Sequence, residues 1–294
     1  MLQFLFYKIA QIVIHCVSRR QAYVFSRFLS DLHFEFSRKD RLAVIHNLEQ
    51  ITGHGDDVLQ KARQVFRNFG RYLVDFFLMH KVDERFVRER VVVTRRDLLS
   101  QALAKGRGGI ILTAHIGNWE MGAAVISKLG YRMTVIALPH KDRVVNDLFN
   151  RQRQKHGVQV VPTNFAIRRC VEALRKNELI ALLGDRDFGT FGEPMMFLGR
   201  KTLIPKGAAF FSLKTGAPII PSFLLPLQDG RYELIFSEPF FPPVGTARDN
   251  GAALELTERY AAVIEEQIRK DPAQWLMFRE FGVEYEHLYP HPRT

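Results

Sequence analysis

The sequence predicts an α/β fold: a largely parallel central sheet flanked by helices, with an N-terminal amphipathic, hydrophobic helix that anchors to a membrane. Three observations carry this. Short apolar runs alternate with helical periodicities through most of the chain, two chemistry-bearing stretches each follow such a run, and the N-terminus is almost continuously apolar. In residues 2–17 the polar positions Gln3, Lys8, Gln11 and His15 recur at near-helical spacing, leaving a narrow polar stripe. Sixteen residues interrupted by a lysine fall short of the roughly 20 needed to span a bilayer. No charged segment precedes the run and no small-residue cleavage pattern follows it, so a signal peptide is not expected. A helix packed on the protein's own core is the competing reading. Residues 56–80 then place Val58, Leu59, Ala62, Val65, Phe66, Phe69, Leu73, Phe76 and Phe77 on a helical period after an Asp start. Strand-like runs follow at 110–113, 133–138, 158–161, 179–183, 218–225 and 232–236. Helix-like runs lie at 118–129, 143–156, 165–176, 205–214 and 252–270. Alternation of this kind makes parallel strands with crossover helices.

Composition sets the frame. A chain of 294 residues, 47% hydrophobic, can bury a sizeable core. No linker or internal repeat divides it, so we expect a membrane-associating helix over residues 1–30 and one α/β domain over residues 31–294. Cys16 and Cys170 lie far apart and outside any metal-ligand spacing, which supports neither a disulfide framework nor a zinc site. Net charge is +11, with a pI near 9.8. Residues 1–108 hold 19 Lys and Arg against 11 Asp and Glu, so +8 of that excess lies upstream of residue 109. A positive flank beside an apolar segment suits anionic phospholipid rather than nucleic acid, which is not an expected partner.

Chemistry concentrates in His115-Ile-Gly-Asn-Trp-Glu120, directly after the apolar run Gly109-Ile-Ile-Leu112. Residues five apart on a regular helix are offset by roughly 140°. The pair can therefore meet only if His115 sits in the turn above a helix carrying Glu120. Imidazole titrates near neutrality, and an adjacent carboxylate fixes its tautomer and raises its basicity, so His115 and Glu120 form a candidate general base. Asn118 and the first amides of the following helix are read either as oxyanion donors or, for Asn118, as the helix cap. Arg151 and Arg153 end an amphipathic helix and could grip phosphate groups, Arg153 being preferred; the alternative is a solvated basic face. Asp185 and Asp187 straddle Arg186 at the end of a buried strand, where they could orient catalytic or acceptor groups or hold Arg186 and Arg153 as ion pairs. A magnesium site there is the weaker reading, and a metal-dependent hydrolase using His115, Glu120, His140, His156 and the two aspartates is the less favoured rival. Gly189, Gly192 and Gly199, around Pro194-Met-Met-Phe197, suggest an irregular, mobile loop with an apolar centre able to admit an acyl chain; a buried structural loop is the equal alternative. There is no G-x-S-x-G elbow, no G-x4-G-K-[ST] loop, and Gly53-His-Gly55 lacks the rest of a dinucleotide fingerprint.

His115 and Glu120 match the H-x4-acid signature of the lysophospholipid-acyltransferase superfamily. Over roughly residues 60–285 the chain resembles the lipid A late acyltransferase family, bacterial membrane enzymes that move a fatty acyl chain onto a glycolipid hydroxyl. Further resemblances follow in order: Asn146-Asp-Leu-Phe-Asn-Arg-Gln-Arg153 before Lys155-His-Gly157 and Val160-Val-Pro162; Gly184-Asp-Arg-Asp-Phe-Gly189; Phe197-Leu-Gly-Arg200; Lys206-Gly207; and Gly216-Ala-Pro-Ile-Ile-Pro221. The resemblance implies O-acyl transfer at the cytoplasmic face of the bacterial inner membrane, without metal or cofactor. His115 would take the proton of a hydroxyl on a glycolipid such as a lipid A precursor, and Glu120 would hold its ring. The co-substrate would be an acyl thioester, acyl carrier protein being favoured over CoA because a positive surface steers an acidic carrier.

Overall fold

In the computed structural model, which describes residues 14, 16–137, 143–162, 165–187, 192–243, 245 and 249–282, seven strands form one sheet. Their order is β1 (Val91–Thr94), β9 (Tyr232–Phe236), β8 (Ile219–Pro226), β2 (Gly109–Thr113), β5 (Leu179–Leu183), β3 (Met133–Ala137) and β4 (Val158–Pro162). Strands β8, β2, β5, β3 and β4 run parallel. The expected parallel sheet is thus present, with one departure. Strand β9 returns antiparallel to β8 after a short turn and carries β1 parallel to itself, because so short a connection can only reverse direction.

Strand β2 sits in the middle and is apolar on both faces, as a strand covered on two sides must be. Ile110 and Leu112 face a core that includes Cys170 and Leu174 of α8 (Ala166–Arg175), Ala208 and Ala209 of α9 (Gly207–Thr215), and Leu256 and Ile264 of α10 (Asn250–Lys270). Ile111 faces the opposite core, with Leu99 of α5 (Arg96–Leu103), Met121 and Val125 of α6 (Trp119–Lys128), and Val145 and Phe149 of α7 (Arg143–Lys155). The alternation is the two-residue period of a strand. The short helix α4 (Glu84–Arg90) leads into β1.

Upstream of α4 the described residues form α1 (Arg19–Phe36), α2 (Arg38–Thr52) and α3 (Val58–Phe77). They share a core of Phe34, Val44, Leu48, Val65 and Phe66. Within the stretch expected as one N-terminal helix, residues 1–30, a helix boundary falls at Ser18. Ser18 opens a new helix through a capping box, its hydroxyl accepting from the Gln21 amide while the Gln21 side chain accepts from the Ser18 amide. Residues 1–13 lie outside the described residues. Helix α1 packs closely on α3, where a Cβ at Gly70 would come within 2.2 Å of the Ser30 hydroxyl. A buried polar knot fixes the contact: Asp75 of α3 accepts from Arg19 at 2.7 Å, from Tyr23 at 2.5 Å and from Tyr232 at 2.5 Å. The other face of α1 leaves Val24, Phe25, Phe28, Leu29, Leu32 and Phe36 exposed. No helix among the described residues is long and apolar enough to cross a membrane.

The expected irregular loop around residues 194–197 is a hairpin instead. Strands β6 (Glu193–Phe197) and β7 (Arg200–Ile204) pair antiparallel about Leu198 and Gly199, both at positive φ. Two such residues give the turn whose twist matches paired strands. Gly192 precedes the hairpin; Gly189 lies outside the described residues.

Candidate active site

Strand register assembles the centre of the site. Thr113, at the end of β2, lies opposite Leu183, at the end of β5, so His115 and Asp185 each emerge two residues beyond a matched pair. The His115 Nδ1 lies 2.9 Å from Asp185 Oδ1, and the His115 amide donates to Oδ2 at 3.1 Å. The Trp275 indole N–H also donates to Oδ2, at 2.8 Å. The Asp185 side chain is fully buried and that of His115 is 12% exposed. Burial by itself would raise the Asp185 carboxyl. The charge and hydrogen bond of His115, the charge of Arg186 and the indole bond overcome it and hold the group well below the usual carboxylate range. An ionised carboxylate only accepts, so Nδ1 carries a proton in either form of the ring, and in the neutral ring the lone pair falls on Nε2.

This corrects the expected His115–Glu120 contact. Glu120, in the first turn of α6, points to α7, where Arg153 grips it with two bonds: Nε to Oε2 at 2.9 Å and Nη2 to Oε1 at 2.5 Å. The reason is the turn itself. Asn118 caps α6, its side chain accepting from the Met121 amide at 3.0 Å, and Gly117 stands at φ +60° with no room for a Cβ, which would meet the Leu224 carbonyl at 2.2 Å. The chain doubles sharply there, so His115 stays over the strand ends while Glu120 faces the neighbouring helix. Arg153 also donates to Asn150 at 3.0 Å. Although burial works against it, the charge of Glu120 and its hydrogen bonds raise the Arg153 guanidinium's pKa.

The remaining site residues separate. Asn118 is 3% exposed, and its Nδ2 has no hydrogen-bond partner among the described residues. Its backbone amide is committed to the Leu224 carbonyl at 2.9 Å, which removes that amide from the expected oxyanion donors. Arg151 stands exposed on α7, since two positions along a helix turn it roughly 200° from Arg153. Arg186 lies close enough to Asp185 to act on its charge. Asp187 accepts from the Gly192 amide at 3.2 Å, fastening the start of the hairpin. Neither aspartate is joined to Arg153, as one of the expected arrangements had it. No group of three or more His, Cys, Asp or Glu able to hold a metal occurs among the described residues. His156 is buried apart from the site, and His140 lies outside the described residues.

Two neighbours of His115 were not expected there: Trp119, expected only to pack against the core, and Trp275. Trp119 lies edge-on to His115, with centroids 5.0 Å apart, and stacks on Tyr72 at 4.5 Å. Trp275 belongs to a strap after α10 that runs beside the His115 turn. The Leu276 amide donates to the His115 carbonyl at 2.7 Å, and the Gly117 amide to that of Gln274 at 3.0 Å. No local pattern marks this strap, because its partners in the site are 90 or more residues away. Behind the turn a small apolar hollow of about 30 Å³ is lined by Thr113, Trp119, Gly122 and Ala123, among others.

Comparison with known proteins gives this geometry a family. The chain is 27% identical over 230 residues to the phosphatidylinositol mannoside acyltransferase of Mycolicibacterium smegmatis, covering 76% of this chain and 72% of that protein. It is 24% identical over 213 residues to the lipid A biosynthesis palmitoleoyltransferase of Escherichia coli, covering 72% and 67%. A solved 1-acyl-sn-glycerophosphate acyltransferase from Thermotoga maritima aligns over 88% of this chain and 99% of its own, at TM-score 0.41 and 14% identity. The family model for bacterial lipid A biosynthesis acyltransferases matches residues 2–281. The chain therefore belongs to the bacterial lipid A biosynthesis acyltransferase family and is an O-acyltransferase.

Proposed function

We propose that this enzyme transfers a fatty acyl group from an acyl thioester, acyl carrier protein being the favoured donor, to a hydroxyl of a membrane glycolipid, with His115 as general base. The observation that carries the reading is the 2.9 Å contact between His115 Nδ1 and the buried Asp185 carboxylate. It directs the basic Nε2 away from the carboxylate. Nε2 accepts the hydroxyl proton as the hydroxyl oxygen attacks the thioester carbonyl. Collapse of the tetrahedral intermediate breaks the C–S bond, and the imidazolium returns the proton to the leaving thiolate. No acyl-enzyme is formed. Asp185 takes the orienting role first expected of Glu120. Glu120 and Arg153 act as one unit beside it, fixing α7 against the catalytic turn and presenting a cation near the acceptor's phosphate. The free amides at the start of α6 supply oxyanion stabilisation.

The acceptor is a glycolipid because the family and the relatives above act on lipid A and phosphatidylinositol mannoside. A lipid A precursor is the first choice. We infer further that the enzyme works at the cytoplasmic face of the bacterial inner membrane, resting on anionic phospholipid through the exposed apolar stripe of α1 and the basic residues Arg20 and Arg27 beside it.

The test is transfer by His115→Ala and wild type with acyl carrier protein and CoA donors, and with a lipid A precursor and phosphatidylinositol mannoside as acceptors. A general base contributes about 10²- to 10⁴-fold, so retention of more than a tenth of the activity would refute the mechanism. Phe25→Ser/Phe28→Ser should release the protein from anionic vesicles at unchanged melting temperature. Undiminished binding would remove α1 from the membrane contact.

A further inference from the structure

Asp185 is held from two sides. His115 engages it through Nδ1 and its own amide, and the third bond comes from a segment far along the chain. The Trp275 side chain is buried among Phe197 and Phe281, at ring-centroid distances of 6.4 and 5.5 Å. Its position is fixed by the strap, which is pinned along its length. Asn68 of α3 donates to the Ala273 carbonyl at 2.8 Å, Asn47 of α2 donates to the Met277 carbonyl at 3.2 Å, and the two strap bonds to the His115 turn lie between these. An indole N–H in so rigid a setting does what the carboxylate cannot do for itself. The torsion that turns a carboxylate about its last bond is soft, and a donor fixed from the far side removes that freedom.

We propose that Trp275 is a positioning residue for acyl transfer: its indole N–H locks the Asp185 carboxylate in the orientation that aligns His115. The proposal rests on the reading of His115 as general base. Trp275 touches neither substrate and acts through Asp185, as partners one step removed from a reacting group commonly orient it.

Trp275→Phe keeps an aromatic ring in the cluster and removes the donor. The expected result is a fall in kcat of about tenfold, the effect of losing one hydrogen bond to a charged group, with KM for donor and acceptor unchanged within about twofold. In an Asp185→Asn background the same substitution should cost nothing further. Benzothienylalanine at position 275, an isostere of tryptophan without the N–H, should reproduce the loss even if Trp275→Phe folds poorly. The chain has two tryptophans, so Trp119→Phe isolates the Trp275 indole resonance. That resonance should titrate with the acidic limb of the kcat profile and stop responding in Asp185→Asn. Wild-type kcat in the isostere, a loss that adds in full to that of Asp185→Asn, or a resonance indifferent to Asp185 would each overturn the proposal. If His115→Ala were active, the general-base reading would fail first; if it is inactive while the isostere is normal, only the role of Trp275 is wrong.

Discussion

Two acid–base pairs lie side by side in this molecule and are built by different means. The His115–Asp185 pair stands on the matched ends of two parallel strands, joins an imidazole ring to a carboxylate with no exposed surface, and is fastened by a tryptophan from the distant strap. The Glu120–Arg153 pair bridges two helices, joins a carboxylate to a guanidinium through a fork of two hydrogen bonds, and keeps 8% and 14% of its side-chain surface exposed. The first arrangement suits a proton that must move; the second suits a charge that must stay. A carboxylate gripped by a guanidinium on both oxygens is poorly placed to tune an imidazole. The two members of the H-x4-E motif thus serve different partners.

The sharpest test of the contrast is Asp185→Asn against Glu120→Gln. An amide at 185 can offer His115 a donor in place of an acceptor and so favour the wrong tautomer; such a change in a His–Asp pair costs about 10⁴ in kcat. Single-turnover measurements should show a loss of that order for Asp185→Asn with the fold intact. Glu120→Gln should act mainly on the fold, because it leaves a buried guanidinium without a counter-charge, a loss of about 3–5 kcal/mol readable by denaturant unfolding. If the two variants exchange these signatures, Glu120 is the orienting carboxylate after all.

A smaller effect separates the arginines. Arg153→Ala should lower kcat/KM by about 10- to 150-fold, whereas the exposed Arg151→Ala should stay within about twofold of wild type. Equal, small losses at both positions would make α7 a solvated basic face. Least in size is the pH effect on stability. The folded Asp185 carboxyl is held below its unfolded value of about 3.9, so it contributes stability that is complete above that pH and disappears as pH falls through and below it. Acid unfolding of the wild type should therefore steepen below about pH 4 relative to Asp185→Asn. Parallel curves would mean that the carboxyl is not held low.

Much of this was legible in the chain. The alternation of apolar runs and helical periods gave the parallel sheet, and the positions of residues 115 and 185 after such runs put both on one edge of it. The Asn118 cap was readable because capping is local. What stayed hidden was everything that depends on relative placement. The hairpin of β6 and β7 reads from sequence as an irregular loop because glycine density signals a bend and does not say whether the flanks will pair. Apolar composition runs on past Ser18, so the helix start that the capping box makes there does not show in composition.

By itself the sequence determined the fold class, the family and the residues that carry chemistry, because secondary-structure periods and motif spacings act over a few residues. Tertiary structure alone decided which carboxylate serves which cation. The register of β2 against β5 brings together residues 70 positions apart, the sharp turn at Gly117 directs Glu120 to α7, and the Asn47 and Asn68 side chains hold Trp275 against Asp185. None of these distances is a function of local spacing. Each follows from how the faces of the sheet and the helices bury their apolar sides against one another.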